Sequence, residues 1–143
     1  MAELHDDAIF NEAGQIIKGG CIVVGKSGQI LMVEYRHENF YGFPKGHSFA
    51  GENPIQTAVR ETLEETGYEV EVIKQLPNFV YQSGWKNSPV CVEYFLARPG
   101  SGGATSDEIW HWVSFDEVAG KLRPDAADYW TSVRPDVEAV KSV

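Results

Sequence analysis

The sequence predicts an α+β fold in which helices pack on a mixed β-sheet. Three observations carry that expectation. Apolar runs of strand length occur early and recur through the middle of the chain, one well-capped helix separates the two groups, and the last third changes from strand to helical spacing. The 143 residues fit one domain spanning 1–143, and 43% apolar residues are enough for a core.

In chain order, residues 1–17 are mixed and acidic and read as an extended arm or short strand. GGCIVV (19–24) and ILMVEYR (30–36) read as two strands, and the intervening Lys26-Ser27-Gly28 reads as the turn of an antiparallel hairpin. Residues 41–51 read as loop, punctuated by Pro44, Gly46 and Gly51. A helix follows, with Asn53 as N-cap, Pro54 at its first position, Gln56 where a capping box wants Glu or Gln, and Gly67 as the stop. Ile55, Val59, Thr62 and Thr66 recur at helical spacing and are expected to face the core. Residues 70–82 are β-rich with Pro77 as a bend, 89–98 form a strand, 99–107 a flexible loop and 108–115 another strand. Residues 115–122 suggest a short helix. Residues 125–143 suggest a last one, buried through Tyr129, Trp130, Val133, Val137 and Val140 and started or kinked by Pro135.

Charge and cysteine content narrow the function classes. A net charge of −9 argues against a nucleic-acid-binding surface, which is usually basic, and admits a small phosphorylated ligand only with metal ions to offset repulsion. Cys21 and Cys91 lie inside apolar runs and read as buried free thiols, consistent with a reducing, cytoplasmic setting. The N-terminal MAELHDDAIF is acidic where a signal peptide would be basic, and no apolar run approaches the ~20 residues of a membrane helix. The sequence leaves the oligomeric state open.

The chemistry concentrates in GHSFAGENPIQTAVRETLEETGY (46–68). Glu61, Glu64 and Glu65 stand at i, i+3 and i+4, so they project from one helical face, expected to point away from the interior. Arg60 is the one cation between Asn53 and Gly67. Crowded carboxylates repel, and a hard divalent cation relieves the repulsion. On spacing alone, a solvated acidic face and a metal site account for the pattern equally well.

The segment resembles the Nudix box: a glycine, five residues, Glu, seven residues, then R-E-U-x-E-E-x-G-U with U a bulky aliphatic. Gly46, Glu52, Arg60, Glu61, Glu64, Glu65 and Gly67 match, while Thr62 and Tyr68 stand at the two U positions, which implies an altered core with the chemistry kept. The resemblance implies an α/β/α sandwich with a mixed central sheet and Mg²⁺-dependent cleavage of a phosphoanhydride, with Mn²⁺ able to substitute. It implies Glu61, Glu64 and Glu65 as metal ligands, joined by the Gly46 carbonyl and by a loop acid, Glu108 first and Asp107 second. Glu61 or a downstream acid such as Glu108 would be the general base, Arg60 would orient the glutamates, and Glu52 would support the metal waters or Arg60. Glu93, in mid-strand, is a further acid that would face a substrate groove.

The residues just before the box, NFYGFPKGH, are similar to the W-x-F/L-P-K-G-H stretch of the branch that hydrolyses diadenosine polyphosphates, with Tyr41 in place of Trp. Lys45 and His47 are candidate phosphate contacts, and Arg36 and Lys86 are further cations. Tyr41, Tyr81 and Trp85 are candidate stacking partners for a nucleobase, while Phe43 and Phe79 read as core. Trp110 and Trp112 are expected to place one ring on each side of their strand. The leading substrate is a dinucleoside polyphosphate such as diadenosine tetraphosphate. The alternatives are a MutT-like nucleoside triphosphate pyrophosphohydrolase, including one for oxidised nucleotides, and a non-catalytic Nudix module that senses a nucleotide. ADP-ribose, capped RNA and diphosphoinositol polyphosphates rank lower, the last two because of the acidic charge.

Overall fold

The computed structural model describes residues 8–35, 38–83, 88–102 and 106–140. Eight strands and three α-helices follow in the order β1 (Ile16–Val23), β2 (Ile30–Glu34), β3 (Tyr41–Gly42), β4 (Lys45–His47), α1 (Pro54–Thr66), β5 (Tyr68–Gln75), β6 (Phe79–Gln82), β7 (Pro89–Gly102), β8 (Ile109–Val113), α2 (Val118–Lys121) and α3 (Pro124–Val140). A 3₁₀ turn at Phe115–Glu117 leads into α2.

The main sheet is mixed. Its order is β4-β1-β7-β5, with β1 parallel to β7, the other pairs antiparallel, and β6 pairing the first half of β7. A separate antiparallel sheet has the order β3-β2-β8. Both faces of the central strands are buried, so they read as continuous apolar runs. Cys21, Val23, Phe95 and Ala97 join Ala58 of α1 in one core cluster. Ile22, Val24, Tyr94 and Leu96 join Trp130, Val133 and Val137 of α3 in the other. The sheet is thus sandwiched between α1 and α3, the α/β/α layering expected.

Several local expectations change. The 19–24 and 30–36 runs do not form a two-stranded hairpin: only Val24 and Ile30 bridge, and the chain then passes from one sheet to the other. The 25–29 turn fixes a reversal, with Gly28 at φ 80°, but partners farther along each strand determine the ladders. The 41–51 loop contains two short strands, and β7 runs on through residues 99–102. Trp110 and Trp112 share a face because strand side chains alternate with period two. Both pack edge-on against Tyr68, at centroid distances of 5.2 and 5.5 Å. Pro135 lies inside α3 without ending it. Both cysteines are buried free thiols, and Phe43 and Phe79 are core. Among the described residues, no helix is long and apolar enough to cross a membrane.

Candidate active site

Local chemistry fixes α1 at both ends. Asn53 Oδ1 accepts from Gln56 N at 2.8 Å, Gln56 Oε1 accepts from Asn53 N at 2.9 Å, and Gly67 ends the helix in the left-handed conformation with φ 78°. The helix does not bury the stripe its periodicity suggests. Ile55 is 45% exposed and Val59 only partly buried, while Thr57, Ala58, Thr62 and Thr66 form the buried face. Close approach is the reason. A Cβ on Gly19 of β1 would come within 2.8 Å of the Pro54 carbonyl and 3.0 Å of Ala58 N, so small residues must face the strand. Thr62 and Thr66 return their hydroxyls to the helix carbonyls of Ala58 and Thr62, at 2.8 and 2.7 Å. The rotated helix also re-aims its acids. Glu64 points outward with its side chain 47% exposed, but Glu61 is only 14% exposed and Glu65 turns inward, so the carboxylates do not all face away from the interior.

Gly46 sits on β4 opposite Gly19, and a Cβ there would overlap the Glu61 carboxyl. This glycine is therefore what lets β4 lie against the acid. Glu65 Oε1 accepts from Lys45 N at 3.1 Å and lies 3.1 Å from Tyr35 Oη, whose single hydrogen also has the Phe43 carbonyl as an acceptor at 3.1 Å. Burial pushes Glu65 above the usual carboxylate range, with Lys45 opposing the rise and Glu61 adding to it. Burial raises Glu61 too, with Arg60 opposing and Glu64 adding.

Arg60 holds this group together. Its Nε donates to Glu52 Oε2 at 2.6 Å and Nη2 to Glu52 Oε1 at 3.1 Å. Nη2 also donates to the His47 carbonyl at 2.9 Å, and Nη1 donates to Glu61 Oε2 at 3.0 Å and Glu64 Oε1 at 3.1 Å. The guanidinium lies 3.8 Å from the Phe49 ring centroid. Glu52 accepts further bonds from Phe49 N and Thr57 Oγ1, at 2.9 and 3.0 Å. The Arg60 hydrogen bonds are the main cause that holds its carboxyl down at about 2.

Two clefts meet at β4. The first, of about 260 Å³, is lined by His47, Phe49, Arg60, Glu61, Glu64, Glu65, Asp107 and Glu108. The loop acids thus join the helix glutamates, and Asp107 N donates to the Glu64 carbonyl at 2.9 Å. The second, of about 40 Å³, is aromatic, with Tyr35, Phe40, Tyr41, Phe43, Phe79 and Tyr94 around Lys45 and Arg123. Lys45 therefore lines the aromatic cleft and His47 the acidic one. Tyr41 stacks on His111 at 5.0 Å, and Tyr81 stacks on Phe79 at 5.3 Å behind the aromatic cleft. Glu93 lies in neither cleft and bonds Gln75 at 3.1 Å. Arg36, Trp85 and Lys86 lie outside the described residues.

Residues 17–133 match the NUDIX domain model. The chain belongs to the Nudix family. An RNA pyrophosphohydrolase of Aeromonas hydrophila is 27% identical, covering 67% of this chain and 68% of its own length. An asymmetrical bis(5′-nucleosyl)-tetraphosphatase of Rattus norvegicus is 33% identical over 52% of this chain and 56% of its own. In fold, the chain is similar to a binary complex of a Caenorhabditis elegans Ap4A hydrolase, with a TM-score of 0.71, 20% identity and coverage of 86% and 98%. A NUDIX hydrolase from Nitrosomonas europaea gives 0.68 at 21% identity, covering 81% and 88%. The protein is a Nudix hydrolase acting on acid anhydrides, in a family that generally uses divalent metals.

The acidic cleft suits such a metal by its donor chemistry: Glu61, Glu64, Glu65, Asp107 and Glu108 offer hard oxygens, and the absence of a side chain at Gly46 lets the Glu61 carboxyl lie against β4. Among the described residues, no three acids, histidines or cysteines converge as a ready coordination sphere. Arg60 supplies the positive charge between Glu61 and Glu64 instead. Sequence reading missed Tyr35, whose hydroxyl reaches Glu65, and Lys18 and Arg123, which lie around Tyr81. Lys18 carries a usable signal, a charge inside a strand otherwise made of apolar residues and glycine.

Proposed function

We propose that this Nudix hydrolase is a Mg²⁺-dependent enzyme that cleaves a nucleoside diphosphate linked to a second group, with a dinucleoside polyphosphate such as diadenosine tetraphosphate as its preferred substrate. One observation carries the reading: a carboxylate-lined cleft and an aromatic cleft share β4, so Lys45 backbone holds Glu65 while its side chain reaches the rings. A phosphate chain and its nucleobase need those two environments side by side.

Glu61, Glu64 and Glu65 would hold the cation, with Glu108 and the Gly46 carbonyl as further ligands. A bound Mg²⁺ supplies charge neutralisation at the phosphates and lowers the pKa of a water. Arg60 and Glu52 keep the glutamates in place. Water attacks phosphorus, the bond to the bridging oxygen breaks, and the water proton passes to a carboxylate, Glu61 or Glu108. Lys45 contacts phosphate oxygens, and Tyr41 and Tyr81 contribute to the base-binding side.

The tetraphosphatase of Rattus norvegicus supports this choice over a nucleoside triphosphate, whereas the RNA pyrophosphohydrolase of Aeromonas hydrophila favours RNA. The net charge of −9 weighs against a long RNA footprint. A panel of diadenosine tetraphosphate, ordinary and oxidised deoxynucleoside triphosphates and a 5′-triphosphorylated oligoribonucleotide, scored by kcat/KM with Mg²⁺, tests the reading. The dinucleotide should rank first, and a clear preference for either triphosphate class would overturn it.

A further inference from the structure

Lys18 is a charged residue on β1, a strand otherwise made of apolar residues and glycine. Its Nζ donates to Tyr81 Oη at 3.3 Å and lies 6.0 Å from the Tyr81 ring centroid. Strand β4 runs antiparallel beside it, and Lys45, opposite Gly20, places Nζ 4.7 Å from the Tyr35 ring centroid. Arg123, immediately before α3, sets its guanidinium 4.9 Å from the same Tyr81 ring. Three cations thus gather around Tyr35, which lines the aromatic cleft, and Tyr81 behind it.

The lysines' counter-charges act at longer range, Glu65 and Glu38 on both and Glu61 on Lys18. Among the described residues, neither lysine has a carboxylate oxygen within 4.0 Å, while Arg123 meets Asp125 at 3.2 Å and Glu38 at 3.8 Å. Both lysines are partly buried, and their like charges repel. Placing like charges together with partial desolvation costs stability unless a counter-charge arrives. A chain with an excess of acids nonetheless keeps them together, and Lys45 and Arg123 line the aromatic cleft. A polyanion is the ligand that bridges several such cations, because lysine offers a point charge and arginine a fork to phosphate oxygens.

We infer that Lys18, Lys45 and Arg123 form a polyphosphate subsite that holds the phosphates not under attack, with Lys18 and Arg123 setting the preference for long phosphate chains. The subsite rests on the phosphoanhydride reading and gives it a direction, from the aromatic cleft past Lys45 to Glu65.

Calorimetric titration with inorganic tripolyphosphate, in chelator and without added metal, isolates these cations from the carboxylate cleft. The wild-type protein should bind one tripolyphosphate. Lys18→Gln and Arg123→Gln should each weaken binding roughly tenfold, the loss expected for one charge-assisted contact. Lys18→Arg should keep most of the affinity, and the melting temperatures of all three should stay near wild type. Wild-type affinity in both glutamine variants, or no binding by the wild type, would overturn the subsite. Because tripolyphosphate has no nucleoside and is not turned over here, failure of the substrate panel with this titration intact would reject the dinucleotide and leave the subsite standing.

Discussion

The Arg60 guanidinium and the Glu52 carboxylate meet through two hydrogen bonds, at 2.6 and 3.1 Å, and the remaining donors of Arg60 reach the His47 carbonyl, Glu61 and Glu64. The arginine thus ties the loop before α1 to the acids on it.

That pairing predicts an acid-sensitive contribution to stability. Glu52 has a folded pKa of about 2, below its ordinary 4.5, so the stabilisation is complete above the unfolded value and is lost as pH falls from about 4.5 towards 2. With the Glu52 side chain 17% exposed, the contribution is at most about 3 kcal/mol, since a tenfold change in proton affinity is worth about 1.4 kcal/mol. Urea unfolding at pH 7 and pH 3 should show a smaller acid-induced loss in Glu52→Gln than in wild type. Equal losses would remove Glu52 as the source.

Gly46→Ala should separate activity from folding. The new methyl meets the end of the flexible Glu61 side chain, which can swing aside, so the melting temperature should change by only a few degrees. Displacing that carboxyl by about 1 Å should lower kcat by roughly 10²-fold. A kcat close to wild type would show that the position of Glu61 is not critical.

Gly19→Ala should do the opposite. Its methyl meets the backbone of Pro54 and Ala58, which yields only if α1 lifts from β1. A destabilisation of about 1–3 kcal/mol is expected from overpacking of this kind, measured by chemical denaturation. Unchanged stability would contradict the account of why α1 buries small residues.

This pair of glycines also marks the limit of what the sequence conveys. The ends of α1 were legible because Asn53, Pro54, Gln56 and Gly67 each act locally. The seven matching box positions were legible as a pattern, and so was the loop origin of Asp107 and Glu108, which line the same cleft as the glutamates. Which face of α1 is buried was not, because Gly19 sets it from a distant strand and favours Thr57 and Ala58 over Ile55 and Val59. The 19–36 hairpin failed for a related reason: turn residues specify a reversal, while long-range partners specify sheets. The box departures at Thr62 and Tyr68 become intelligible only in three dimensions. Thr62 packs in the tight α1 interface, and Tyr68 Oη accepts from Trp112 Nε1 at 3.3 Å.

The central claim is that the inward glutamates of α1 hold a divalent cation for phosphoanhydride hydrolysis, and product release from diadenosine tetraphosphate by wild type and Glu65→Gln, with Mg²⁺ and with chelator, tests it most directly. Wild type should turn over with Mg²⁺ and stop with chelator, and Glu65→Gln should keep its fold while kcat falls by at least roughly 10²-fold, as for loss of a charge-stabilising group. Near-wild-type kcat in Glu65→Gln, or turnover that persists in chelator, would contradict it.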